Sequence, residues 1–277
     1  MSGLTVGEVA GWLEEAYPPA LAEDWDRVGL GVGDLAAAVD SVVLSVDVTD
    51  AVLAEAVGRG AQLIVSHHPL LLRGVHAVRA DEPKGRLLIA AIRAGVAVFS
   101  AHTNADSAAH GVADALADAA GLDERRPLVP AASDPSLGLG RVGRLREPVT
   151  AATLAARLAA AVPATTTGVR VGGDPERRIE TVAVLGGAGD SLLGAVRARG
   201  VDCYVTGDLR HHPAQDFLAY DDAPCLIDVP HWAAEWLWLP AAERLLQRRA
   251  TAEGIRLTTH VSTQVTDPWT AVFPPRT

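Results

Sequence analysis

The residues of this chain best suited to chemistry are His67-His68, His102 with Asp106 four positions on, and His231 with Glu235 four positions on. Imidazole and carboxylate suit Zn, Fe, Ni or Mn, and a carboxylate can bridge two ions. Residues four apart are neighbours on a helix, so a helical segment turns His231 and Glu235 to one face. Trp232, Trp236, Trp238 and Leu239 make that segment apolar, where a charged Glu235 is costly unless something such as a metal satisfies it. In the second pair Asp106 is the better ligand candidate. His102 fits three roles: a ligand, a proton shuttle or a hydrogen-bonded strand-end residue. Adjacent residues of an extended chain point in opposite directions, so unless the backbone turns His67 and His68 chelate a single ion poorly, but each can hold one of two neighbouring ions. Pro69 restricts His68 to an extended backbone.

These residues need strands to carry them. Ser41 to Val48 is a β-branched run and reads as a buried strand; Asp50 to Arg59 reads as a helix closed by Gly60; Ala61 to Ser66 reads as a second strand ending on His67. A short strand–helix–strand unit implies parallel pairing. The unit recurs at an offset of 140, where Thr181 to Leu185, Asp190, Arg199-Gly200 and Val201 to Thr206 match their counterparts and Gly207-Asp208 replaces His67-His68. At an offset of 129, Val96 to Ala101 leads to His102 and Asp106 as Pro224 to Asp228 leads to His231 and Glu235. Two ordered matches predict a duplicated half. The fold expected is α/β, with two facing, pseudo-twofold-related lobes of mixed sheets, one over residues 1–125 with C-terminal strand packing and one over 126–277. Ligands of such sheets collect at the carboxyl ends of strands. Thr5 with Glu8 predicts a capping box opening a first helix that ends before Pro18.

Other features carry less. Leu185 to Ser191 reads as a glycine-rich turn between strand and helix, which either only turns the chain tightly or exposes backbone N–H groups to an anion, and it lacks the lysine of a P-loop. His211-His212-Pro213 falls four residues beyond the repeat position and reads as pocket lining or structure. His76, His110 and His260 have no cluster in the sequence around them. Cys203 and Cys225 lie in apolar runs and read as small core residues, not a disulfide framework. A formal net charge of −10 argues against nucleic-acid binding. No run is long enough for a membrane span, and the start, Met1-Ser2-Gly3, lacks a basic, apolar leader, so a cytoplasmic protein is expected.

Taken together, Trp25-Asp26-Arg27-Val28-Gly29-Leu30, Ser66-His67-His68-Pro69, His102-Thr103-Asn104-Ala105-Asp106, Gly138-Leu139-Gly140-Arg141-Val142-Gly143, Gly186-Gly187-Ala188-Gly189, Thr206-Gly207-Asp208, His231-x-x-x-Glu235 and Val265-Thr266-Asp267-Pro268 resemble the Nif-three-like family, often called GTP cyclohydrolase 1 type 2 homologues. The resemblance runs over nearly the whole chain. It implies two facing lobes with a dinuclear metal centre in the cleft and a toroidal homohexamer. It places the metal ligands on His67, His68, Asp106, His231 and Glu235, with Glu235 bridging. The short middle segment implies that the extra domain some members insert is lacking here. One departure is Asp228-Val229-Pro230-His231, where the family usually has glycine before the histidine; the proline could alter the approach of His231.

Two functions follow as expectations. One is a metal-dependent hydrolase, in which two divalent ions activate water against a carbonyl, phosphoryl or purine-ring carbon of a small nucleotide or phosphorylated substrate. The other is a non-catalytic metal-binding scaffold, metal carrier or regulatory protein. No guanine-reading motif is present in the sequence.

Overall fold

The structure, a computed structural model, describes residues 3–273; Met1 and Ser2, part of the leader reading, lie outside them. The chain divides into two compact units. One runs to Ala109 and takes back Leu239–Thr266, and the other comprises His110–Trp238 and the chain from Asp267. The division therefore differs from a boundary at 125/126.

In the first unit, α1 (Val6–Ala16) opens on Thr5 with the predicted reciprocal cap: Glu8 N–H donates to Thr5 Oγ1 at 3.2 Å and Thr5 N–H to Glu8 Oε2 at 2.7 Å. The sheet consists of β1 (Gly29–Val32), β2 (Ser41–Ser45), β3 (Leu63–Ser66), β4 (Ala97–Ser100) and β13 (Thr258–Val261), in the order β1-β4-β3-β2-β13. Strands β2, β3, β4 and β13 are parallel, and β1 is the antiparallel edge. Helix α2 (Asp50–Gly58) makes the crossover from β2 to β3, and α3 (Pro83–Ala94) the crossover to β4. Val43, Ile64 and Val98 pack on Val52, Leu53 and Ala56 of α2 and Leu87 and Ala91 of α3. Their strand neighbours Leu44, Val65 and Phe99 are also buried, so the sheet is covered on both faces. That explains why these strands are continuously aliphatic rather than alternating. The unit is completed by α4 (Thr103–Ser107) and α10 (Leu239–Ala252).

The second unit repeats the central motif with different flanks. After α5 (Val112–Ala120) come β5 (Leu122–Arg126), the short pair β6 (Val129–Pro130) and β7 (Gly138–Leu139), β8 (Arg141–Thr150), α6 (Ala151–Ala161) and β9 (Arg170–Gly172). Then follow β10 (Arg178–Ala188), α7 (Leu193–Arg199), β11 (Cys203–Gly207), α8 (His211–Leu218), β12 (Cys225–Asp228) and α9 (His231–Trp236). The main sheet has the order β5-β8-β10-β11-β12-β9. Its three parallel strands β10-β11-β12 correspond to β2-β3-β4, and β9 is the antiparallel edge as β1 is. Beside the first of the three, however, stands antiparallel β8 where the first unit has parallel β13. One face packs on α5 and α6 through Leu116, Leu154 and Leu158, the other on α7 and α8 through Val196 and Phe217. Cys203 and Cys225 are register partners and sit in that first core as free, buried thiols, as small core residues should. Among the described residues no helix is long and apolar enough to cross a membrane.

His260, without a cluster in the sequence, has one in space. Its Nε2 lies 2.8 Å from Glu55 Oε1, and Ser262 Oγ donates to Glu55 Oε2 at 2.6 Å. Burial opposes the charge on Glu55, but these hydrogen bonds and the facing His260 outweigh it and hold the carboxyl below its usual range. A carboxylate with a depressed pKa stabilises the fold above its unfolded value, and that contribution is lost as pH falls through the folded value. Glu55→Gln is therefore expected to cost about 1–2 kcal/mol at pH 7. In urea melts the gap to wild type should close as the pH drops below the ordinary 4.5; a gap constant with pH would show that the charge contributes nothing.

Candidate metal centre

Three parallel strands of the first unit end on serines held in register: Ser45 with Ser66, and Ser66 with Ser100. Two residues beyond each serine stand Asp47, His68 and His102. The serines also bend the chain. Ser45 Oγ donates to Asp47 O at 2.8 Å and Ser66 Oγ to His68 O at 2.9 Å, while Ser66 and Ser100 hydroxyls lie 2.9 Å apart. The strand thus stops at Ser66, and the chain bends at the two histidines after it. Their rings converge, with centroids 5.1 Å apart. The two rings are therefore not splayed apart as side chains of an extended strand would be, and a spacing of 5.1 Å leaves room for one ion on each or one shared between them.

His102 joins them. One ring nitrogen from each of His67, His68 and His102 lies within 4.8 Å of the others. His102 is the N-cap residue of α4, and Asp106 in that helix brings Oδ1 to 3.8 Å from His67 Nε2. His67 is fully buried and Asp106 nearly so. The first donor set is therefore His67, His68, His102 and Asp106; of the three roles open to His102, its place in this set fits the ligand.

The second set lies in the second unit. Pro230 caps α9 with φ −51° and ψ 127°, and His231 is the first helical residue. The proline thus opens the helix that carries the site, and His231 Nε2 lies 2.9 Å from the buried Glu235 Oε1, one turn on. Glycine makes the room: a Cβ at Gly187 would lie 2.6 Å from Glu235 Oε1 and 3.3 Å from His231 Nε2. The glycine-rich stretch is therefore largely strand, with its glycines used for close approach rather than for display of N–H groups to an anion. Residues 178–188 are β10, and Gly187 has φ 70°.

The four imidazoles share one arrangement. Nδ1 of His67 faces Ala101 O at 2.9 Å, that of His68 faces Asp47 Oδ1 at 2.7 Å, that of His102 faces Asp26 Oδ1 at 2.8 Å, and that of His231 faces Asp208 Oδ2 at 2.8 Å. A carbonyl or carboxylate accepts, so Nδ1 carries the proton and Nε2 is the nitrogen presented for coordination. Metal-ligating histidines are oriented in this way. Asp26 also accepts from Thr103 N–H at 3.0 Å and from its hydroxyl. Burial works against its charge, yet the bonds from His102 and Thr103 win and hold the carboxyl far below the usual range. Asp208 has a left-handed backbone, φ 51°, which asparagine and aspartate tolerate best among non-glycine residues. Burial disfavours a charged His231, but Glu235 and Asp208 outweigh it and push the imidazole up to about 11. Its charge, in the protein without metal, balances the buried Glu235.

A His₃Asp set and a His–Glu set, each with oriented imidazoles, fit borderline divalent ions such as Zn, Fe, Mn or Ni. The anchors Asp26, Asp47 and Asp208 were not singled out by spacing. Asp26 and Asp208 lie in motifs already noted, and Asp47 follows a strand end. His211 lines a concavity of about 650 Å³ in the second unit with Leu209, Leu218 and Leu226, away from either donor set in sequence.

Comparison with known proteins agrees with these motifs. A Streptomyces coelicolor protein named GTP cyclohydrolase 1 type 2 homolog is 48% identical over 268 residues, covering 96% of this chain and 94% of that one. One of the same name from Mycobacterium tuberculosis is 36% identical, covering 95% and 96%. A Staphylococcus aureus crystal structure superposes with a TM-score of 0.88 at 26% identity, over 98% of this chain and all of that one. A Bacillus cereus protein related to NIF3 gives 0.90 at 24% identity with the same coverage, a likeness of fold. The model of the Duf34/NIF3 (NGG1p interacting factor 3) family matches residues 4–268, and the chain belongs to that family.

Proposed function

We propose that the protein binds two divalent metal ions, through the donors His67, His68, His102 and Asp106 of the first unit and the donors His231 and Glu235 of the second, and that it is a metal-dependent hydrolase of a small nucleotide or other phosphorylated compound. The observation that carries the reading is the shared orientation of four imidazoles, each with Nδ1 on a carbonyl or carboxylate. The chemistry such ions supply when bound is Lewis acidity toward a carbonyl, phosphoryl or ring carbon and acidification of water. Asp26, Asp47 and Asp208 hold the tautomers that ligation needs. The names of the Streptomyces and Mycobacterium relatives support GTP as the first substrate to try.

Elemental analysis of protein purified without added metal is expected to find divalent metal in wild type and a loss of most of it in His67→Ala. Turnover of GTP and of simple phosphoesters should then follow metal content across the two proteins. Metal that binds while both give the same negligible turnover favours a scaffold or carrier instead. Metal content unaffected by His67→Ala sinks the site itself. The assembly proposed with it is a homohexamer, which light scattering of the same samples measures.

A further inference from the structure

The donor row of the first sheet continues one strand further than the ligands do. Reading across the carboxyl ends, β4 leads to His102, β3 to His67 and His68, β2 to Asp47, and the fourth parallel strand, β13, leads to Thr266. Register is kept through β13: Val261 pairs with Leu44, and Ser262 N–H donates to Leu44 O at 2.8 Å. Beyond that point Ser262 Oγ is held by Glu55, and Gln264 N–H donates to Ser262 Oγ at 3.2 Å. The segment so guided places the Thr266 hydroxyl 2.5 Å from Asp47 Oδ2, while Asp47 Oδ1 accepts from His68 Nδ1. The two oxygens of one carboxylate are thereby divided between a threonine of the C-terminal segment and a proposed ligand.

From this geometry we infer that Thr266 is a positioning residue for metal binding at His68, acting through Asp47. The inference rests on the metal reading above. A carboxylate with one fixed donor on each oxygen has its plane set, and the ring it accepts from is set with it. Removing the hydroxyl lets Asp47 rotate, and the direction of His68 Nε2 loosens. His67 is anchored on the Ala101 carbonyl instead and does not depend on this segment. The two adjacent histidines therefore differ in support: one leans on backbone, the other on a side-chain relay that ends 198 residues further along the chain (266 − 68).

The test uses full-length metal-free protein titrated with Zn²⁺ against a chromophoric chelator. His68→Ala defines the His68-dependent part of the affinity. A direct anchor of a ligand is worth about 10–100-fold, expected here for Asp47→Asn, and Thr266→Val, one bond further out, should weaken binding about three- to tenfold. Thr266→Ser, which keeps the hydroxyl, should restore it. In the metal-free protein the His68 Nδ1–H resonance should move in Thr266→Val and return in Thr266→Ser. Wild-type affinity and an unmoved resonance in Thr266→Val overturn the inference while leaving the metal reading intact. So does a drop in thermal stability without a drop in affinity. Should Thr266→Val not fold, Asp47→Asn decides, with unchanged affinity overturning the relay. Wild-type protein that binds no Zn²⁺, or binds it as well as His68→Ala, overturns both readings.

Discussion

Glu235→Ala is expected to abolish binding by the second donor set, with a loss in metal affinity of about 100-fold or more. Direct ligands contribute more than the outer partners, whose removal costs about 10–100-fold. Glu235 is almost wholly buried against His231. In the protein without metal, the His231 charge balances it, held by Glu235 and Asp208 against the cost of burial. Breaking a buried pair by removing one partner costs about 3–5 kcal/mol when the remaining charge cannot neutralise. His231 can shed its proton, so the cost to the fold should lie toward or below the bottom of that range, and the variant should remain folded. Isothermal titration with Zn²⁺ beside a urea melt separates the two effects. Glu235→Ala that binds metal with wild-type affinity and stoichiometry would remove Glu235 from the site. Glu235→Gln, which keeps the shape and removes the charge, should resemble alanine in metal binding because the amide is a poor substitute for an anionic ligand.

Gly187→Ala is the second large effect, and it reaches the same pair from the backbone. Gly187 has φ 70°, where a side chain costs about 1–2 kcal/mol. Its Cβ would also stand 2.6 Å from Glu235 Oε1, closer than real Cβ contacts come. The carboxylate must move, and Nε2 of His231 lies 3.3 Å from the same point. Gly254 is the matched control, with φ 68° and nothing within 4 Å of a built Cβ. Both alanine variants should lose the backbone increment in chemical denaturation. Gly187→Ala alone should lose more, and it alone should lower metal affinity, by about tenfold or more on the scale of a displaced ligand. Equal losses in the two variants, with metal binding intact in both, would show that Glu235 tolerates the intrusion and that its position is not critical.

The elements that carry the site were readable along the chain because they rest on local pattern. Continuous aliphatic runs predicted strands buried on both faces, Thr5 and Glu8 predicted a capped helix, and the offset of Asp190 from Asp50 exposed the repeated strand–helix–strand. The spacing of His231 and Glu235 is a property of one helical turn, so α9 delivers it as expected. The fold class follows from the same patterns, and α/β with mixed sheets is what forms.

Two features are decided by what the fold places beside the chain. An extended chain would splay His67 and His68, but a serine hydroxyl bends the backbone immediately after β3 and the rings converge. Whether each ring holds its own ion is read from the stoichiometry of the titration. The glycine-rich stretch looked like a turn or an anion cradle because sequence shows that side chains are missing, not what fills the space. Here the space admits Glu235 and His231.

The opening residues, His67-His68, His102 with Asp106 and His231 with Glu235, were ligand types at helical or strand-end spacings, and chain order alone carries that much. Which nitrogen of each ring is presented was a matter of folding. The anchoring carboxylates lie 21, 76 and 23 residues from their histidines, and strand order and register bring them together. Spacing along a helix is set by bonds between near neighbours, whereas an imidazole's orientation is set by whatever the sheet places beside it.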